Sequence, residues 1–130
     1  MAGEFTGKKV LIIDDEPDVV AYLETFLGDV GFTTLSAPDA MTGREVAKRE
    51  KPDVITLDIA MPEKSGGKFL KELQEDPDIA DIPVVVVTGV MKEYKTFIHG
   101  RKHIKPPAGY IQKPIDRDTL IATLREVLGC

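Results

Sequence analysis

The sequence predicts an α/β domain, an open five-stranded parallel sheet with helices on both faces, built by repeating a β-α unit five times. Three observations lead there. The runs Val10-Leu11-Ile12-Ile13, Val54-Ile55-Thr56-Leu57 and Val84-Val85-Val86-Val87 are short, apolar and rich in β-branched residues, as strands buried on both faces must be. Stretches with apolar residues at helical spacing separate them. Strict alternation of such strands with helices implies parallel pairing in one sheet, with the helices laid over its two faces.

The first helix follows Pro17, with Val19, Val20, Leu23, Phe26, Leu27 and Val30 at helical spacing and Gly31 closing it. Phe32 to Ser36 reads as a shorter second strand. Asp39 to Glu50 reads as the second helix, with Ala40, Gly43, Val46 and Ala47 on its inner face. Lys64 to Gln74 is expected to form the third, packing through Phe69, Leu70 and Leu73. Val90, Met91, Tyr94, Phe97 and Ile98 mark a fourth that Gly100 should stop. A brief strand at Tyr110 to Gln112 precedes a last helix carrying Leu120, Ile121, Leu124, Val127 and Leu128 inward. Residues 1–7 hold small, polar and turn-prone types and read as a flexible lead-in or cloning remnant, ahead of one domain over 8–130.

Composition narrows the function. The 130 residues suit a single hydrophobic core. A net charge of −5 argues against nucleic acid as a partner, because phosphate-binding domains usually carry a basic excess. No apolar run approaches the roughly 20 residues that span a bilayer, so no membrane role is expected. With no basic-then-apolar leader, a cytoplasmic protein is the expectation. Cys130 is the only cysteine, which rules out an intrachain disulfide and offers no metal site.

The informative residues fall at strand ends. Asp14 and Asp15 follow the first strand, Asp58 the third, Thr88 the fourth and Lys113 the fifth. In open parallel sheets, ligands bind beyond the carboxyl ends of the strands, where the strand order reverses. Each residue alone has a plainer reading: Asp15 as a helix cap, Asp58 as the start of a loop, Thr88 as another cap. Their convergence on one edge favours a site. Three carboxylates there would repel and push at least one pKa upward. A divalent cation together with Lys113 would cancel their charge. Oxygen-only ligands favour Mg²⁺, and the lack of a Cys or His pair at these ends disfavours zinc.

These residues resemble those of bacterial two-component response regulators, over Lys8 to Leu128. Val10 to Pro17 is similar to that family's first strand and acidic pair, and Asp58-Ile59-Ala60-Met61-Pro62 with Gly66 is similar to its phosphorylation loop. Thr88-Gly89 and Tyr110-Ile111-Gln112-Lys113-Pro114 resemble its remaining switch motifs. The resemblance implies a chemotaxis-regulator-like, flavodoxin-like receiver domain. In it Asp58 would take a phosphoryl group from a phosphohistidine of a sensor histidine kinase or histidine phosphotransfer protein. Asp15, Asp58 and the Ala60 carbonyl would ligate Mg²⁺, with Asp14 acting largely through water. Lys113 and Thr88 would hold phosphoryl oxygens, a division of labour suited to phosphoryl transfer. Gly89 would leave space for the phosphoryl group, and Pro114 would follow a cis peptide bond. Thr88 and Tyr110 would form the switch that changes the partner-binding face toward a downstream protein or a second copy of the chain. A rim tyrosine with a wetted hydroxyl is the plainer reading of Tyr110. The resemblance implies no enzyme beyond a regulator that promotes its own phosphorylation and dephosphorylation. Ala60 and Val90 would border the path of the hydrolytic water, where neither side chain can hydrogen-bond. The interval from Thr88 to Lys113 departs from the family in its length and in Pro106-Pro107.

Other classes fit less well. A flavin-binding domain of this fold needs a hydroxyl- and glycine-rich loop where Asp14-Asp15-Glu16 stands. An aspartyl phosphatase wants a second Asp where Ala60 follows Asp58. A degenerate receiver would have lost an acid or the lysine. Finally, Lys92, Lys95, Arg101, Lys102 and Lys105 face the single acid Glu93 in the long interval. They read as either a solvated basic loop or a docking patch for an acidic partner. His99 and His103 are four apart, but Gly100 between them opposes a helical metal pair.

Overall fold

The computed structural model describes residues 4–58, 66–89 and 107–129. Five strands, β1 (Lys9–Ile13), β2 (Thr33–Ala37), β3 (Val54–Asp58), β4 (Val84–Thr88) and β5 (Gly109–Gln112), form one sheet in the order β2-β1-β3-β4-β5. Every neighbouring pair is parallel. The helices are α1 (Pro17–Asp29), α2 (Ala40–Glu50), α3 (Gly66–Glu75) and α4 (Arg117–Leu128). The helix expected from Val90 to Ile98 and the basic interval to Lys105 lie outside the described residues.

Alternation along the strands builds two cores, because successive side chains leave opposite faces of a sheet. Leu11, Ile13, Ile55, Leu57 and Val84 pack with Ala47 of α2 and with Phe69, Leu70 and Leu73 of α3. Val10, Ile12, Val54, Val85, Val87 and Ile111 pack with Leu23 and Leu27 of α1 and with Leu120 and Leu124 of α4. Gly43 lets α2 approach β1 closely, since a Cβ there would lie 2.6 Å from the Ile13 Cδ1.

The helix ends are chemically specified. Asp39 caps α2 by accepting the Thr42 N–H at 2.8 Å, and Asp116 caps α4 by accepting the Thr119 N–H at 2.9 Å. Pro17 opens α1, and Glu16 holds its cap position without a side-chain cap bond. The capping role considered for Asp15 is therefore not realised, as Asp15 precedes the cap position.

Several boundaries differ from the sequence expectation. Strand β2 runs one residue later, from Thr33 to Ala37, in register with Lys9 to Ile13. Asp58 and Thr88 are the last residues of their strands rather than the first beyond them, because Asp58 pairs with Val87 and Thr88 with Gln112. The described part of α3 begins at Gly66, and the expected start at Lys64 lies outside the described residues.

The segment read as a flexible lead-in packs instead from Glu4 onward. Phe5 is fully buried and stacks on Phe32, with ring centroids 4.6 Å apart. Its backbone N–H donates to the Val30 carbonyl at 3.3 Å. Glu4 accepts two hydrogen bonds from Arg125 of α4, at 2.6 and 2.7 Å. A large apolar ring lowers the free energy more by filling the α1/α4 core than by staying in water, and this ties the segment to the domain.

Candidate functional site

The strand order places β1 between β2 and β3, so the chain direction of winding reverses beside β1 and opens a crevice at the carboxyl ends of β1 and β3. Asp14 leaves the end of β1 there, its backbone N–H still bonded to the Ala37 carbonyl of β2 at 3.2 Å. Asp58 ends β3 on the other side of the crevice. Both carboxylates are buried, each residue being 3% exposed. Asp15 and Glu16 lie exposed at the rim. Carboxylate oxygens of Asp14, Asp15, Glu16 and Asp58 all lie within 4.8 Å of one another.

Lys113 enters from the loop after β5, next to a cis Lys113–Pro114 peptide bond, as the resemblance implied. Its Nζ is 3.5 Å from an Asp14 Oδ2, 3.5 Å from the Asp58 Oδ2 and 3.4 Å from the Glu16 Oε1. Burial raises the Asp14 pKa above the ordinary carboxylate range, and the Asp58 charge adds to the rise. The Glu16 N–H, donated to the Asp14 Oδ1 at 2.9 Å, and the Lys113 charge only partly oppose it. For Lys113, burial by itself would favour the neutral amine. The charges of Asp58, Asp14 and Glu16 together outweigh it and raise the pKa above the usual lysine value.

Four carboxylates against one ammonium leave a strong local excess of negative charge. The donor set consists of hard oxygens, two of them on buried residues, and fits a hard divalent cation better than a soft one. The structure thus brings together Asp14, Asp15, Asp58 and Lys113, drawn from the ends of three strands. Thr88 terminates β4, the neighbouring strand; its side chain lies outside the described part, as do Ala60 and Val90. Tyr110 sits on β5 opposite Val86, and its hydroxyl oxygen is buried rather than wetted at a rim. That burial raises the phenol pKa. In the sequence Glu16 reads only as part of a motif, yet it joins the cluster and pairs with Lys113. The hint in the sequence was an acid immediately beyond an acidic pair.

A buried carboxylate at a strand end, flanked by acids and an ammonium at the switch point of a 2-1-3-4-5 sheet, defines a class of phosphoacceptor domains. Residues 10–125 match the family model of the response regulator receiver domain. Protein PilH of Pseudomonas aeruginosa is 33% identical over 121 residues, covering 93% of this chain and 98% of PilH. The phosphate regulon transcriptional regulatory protein PhoB of the same species is 32% identical over 122 residues, covering 94% of this chain but 52% of PhoB. The chemotaxis response regulator CheY4 of Vibrio cholerae shares the fold with a TM-score of 0.81 at 27% identity, over 95% of this chain and 100% of CheY4. The chain belongs to the response regulator receiver domain family, and it is a phosphoacceptor of two-component signalling. Among the described residues, no helix is long and apolar enough to cross a membrane.

Proposed function

We propose that Asp58 is the phosphorylated residue and that Asp14, Asp15, Lys113 and Thr88 serve its reaction. The observation that carries this is the Asp58 carboxylate, buried at the end of β3 with the Lys113 ammonium 3.5 Å away and Asp14 contacting the same ammonium. The donor is a phosphohistidine on a sensor kinase or phosphotransfer protein. An Asp58 oxygen attacks phosphorus and the P–N bond breaks, its electron pair remaining on the imidazole nitrogen. An acyl phosphate forms on Asp58, and a proton carried on the donor ring's other nitrogen lets the ring leave as neutral imidazole. Lys113 and the Thr88 hydroxyl hold phosphoryl oxygens, neutralising charge where it develops.

Asp14, Asp15, Asp58 and the Ala60 carbonyl would hold Mg²⁺, which when bound supplies charge neutralisation for the phosphoryl oxygens. The oxygen-only cluster and the raised Asp14 pKa support that assignment, because a cation relieves the repulsion among these acids. The switch reading assigns Thr88 and Tyr110 to reporting the phosphoryl group, so that a downstream protein or a second copy binds one state better. Residues 8–130 form the receiver unit with residues 4–7 packed onto it, and a cytoplasmic setting suits its donor.

Intact-mass measurement after incubation with acetyl phosphate tests the assignment. The mass should rise by one phosphoryl unit with Mg²⁺ and stay unchanged with chelator. Asp58→Asn should abolish the gain. Labelling of that variant at the native rate would refute Asp58 as the acceptor.

A further inference from the structure

We propose that Glu16 is a positioning residue, which anchors Lys113 at the mouth of the site before phosphorylation and releases it when a phosphoryl group arrives. This rests on the reading that Lys113 holds phosphoryl oxygens. Lys113 contacts Glu16 at 3.4 Å and both Asp14 and Asp58 at 3.5 Å. Two of its N–H donors bond Glu16 and Asp58, and Asp14 pairs with the same ammonium as a third charge. A phosphoryl group on Asp58 brings up to three charged acceptors to the same ammonium in place of one Asp58 oxygen, so it competes with the remaining partners. Asp14 is buried and has no water to turn to in exchange. The Glu16 side chain is 61% exposed and returns to water at little cost.

The local backbone supports a side-chain swing rather than a loop movement. The Glu16 N–H is held by the Asp14 carboxylate at 2.9 Å, and its carbonyl accepts the Val20 N–H at 3.1 Å in the first turn of α1. At this helix-cap position a side chain ordinarily bonds the first-turn N–H groups. The Glu16 carboxylate makes no such bond and reaches Lys113 instead, 97 residues away in sequence. Its negative charge also lies within 4.8 Å of the Asp58 carboxylate and repels an anionic phosphoryl group formed there.

The test is equilibrium binding of the phosphoryl analogue fluoroberyllate at saturating Mg²⁺, at a temperature where every variant is folded. Glu16→Gln should bind about two- to five-fold more tightly than the native chain, the scale of an exposed ion pair. Glu16→Asp retains the charge but is one methylene shorter; it should show most of that gain, because contact with Lys113 is lost. In a Lys113→Ala background, Glu16→Gln should change nothing further. Unchanged or weaker binding by Glu16→Gln overturns the proposal. So does a Glu16→Asp variant that behaves like the native chain, or a Glu16→Gln gain that survives without Lys113. Native-strength binding by Lys113→Ala alone would instead overturn the role given to Lys113, a result distinguishable from failure at Glu16.

Discussion

Asp14 carries the main electrostatic tension of the site. Its folded pKa is raised by burial, so the folded chain holds that proton more tightly than the unfolded chain does. The stabilising contribution is therefore present in acid and is lost as pH rises through the folded value. Near neutral pH the folded chain bears the cost of that buried carboxylate. Two outcomes are expected. Metal-free Asp14→Asn should melt at a higher temperature than the native chain near neutral pH, because the amide keeps the acceptor for the Glu16 N–H and removes the charge. Added Mg²⁺ should raise the native midpoint and raise the Asp14→Asn midpoint far less. Calorimetry with chelator and with Mg²⁺ measures both, and a native chain indifferent to Mg²⁺ would count against the metal assignment. Lys113 has the opposite charge but the same sign of linkage. Its raised pKa gives stability below the ordinary lysine range that disappears only in strong base.

Among the elements, the segment before β1 couples sequence to packing most directly. Phe5 reaches the α1/α4 core at the end of the sheet opposite Asp58 and lies flat on Phe32. Gly31 makes this approach feasible. Its φ is +113°, and a Cβ there would sit 2.8 Å from the Thr6 backbone nitrogen. Phe5→Ala should cost about 3–5 kcal/mol in urea unfolding, the usual range for emptying an aromatic site. Gly31→Ala should cost about 1–3 kcal/mol from backbone strain, with the Thr6 contact adding to it. Arg125→Ala should cost much less, since its pair with Glu4 is solvent-exposed. Below their melting temperatures, all three variants should accept phosphoryl groups at the native rate, because the segment lies far from the crevice. A loss of labelling in folded Phe5→Ala would show that the two ends of the sheet are coupled.

At the scale of the whole molecule, Asp76 links the helices that cover one face of the sheet. It lies just beyond α3, 5% exposed, and accepts the Asp78 N–H at 3.0 Å. From α2, Arg44 and Lys48 reach it at 3.1 and 3.4 Å. The Asp78 N–H first, and then Arg44 and Lys48, hold the Asp76 pKa below the ordinary value. A depressed carboxylate pKa contributes stability that is present above the unfolded value and fades as pH falls through the folded one. The urea midpoint of the native chain should therefore drop in acid. Asp76→Asn should be less stable near neutral pH and show a flatter acid limb. An identical acid limb in both proteins would remove Asp76 from the acid response.

Much of the fold and most of the candidate site were legible in the residues themselves. Three β-branched runs can be buried on both faces only as interior strands, and α2 buries the Ala40, Gly43, Val46 and Ala47 that its period selects. Asp14, Asp15 and Lys113 follow their strands as the alternation requires, and Asp58 and Thr88 close theirs. These are local signals, carried by periods of two and 3.6 residues. Contacts without a period had to wait for the tertiary structure. Phe5 stands alone in a glycine-containing segment, and only the space between α1 and α4 makes it a core residue. Asp76 looks like a helix-end acid until α2 brings Arg44 and Lys48 to it. Glu16 and Lys113 meet only because the parallel sheet delivers every strand's carboxyl end to the same edge. Local pattern set which residues are strand and helix, and most of the core. Closure of the sheet, a long-range event, decided which charges share a site.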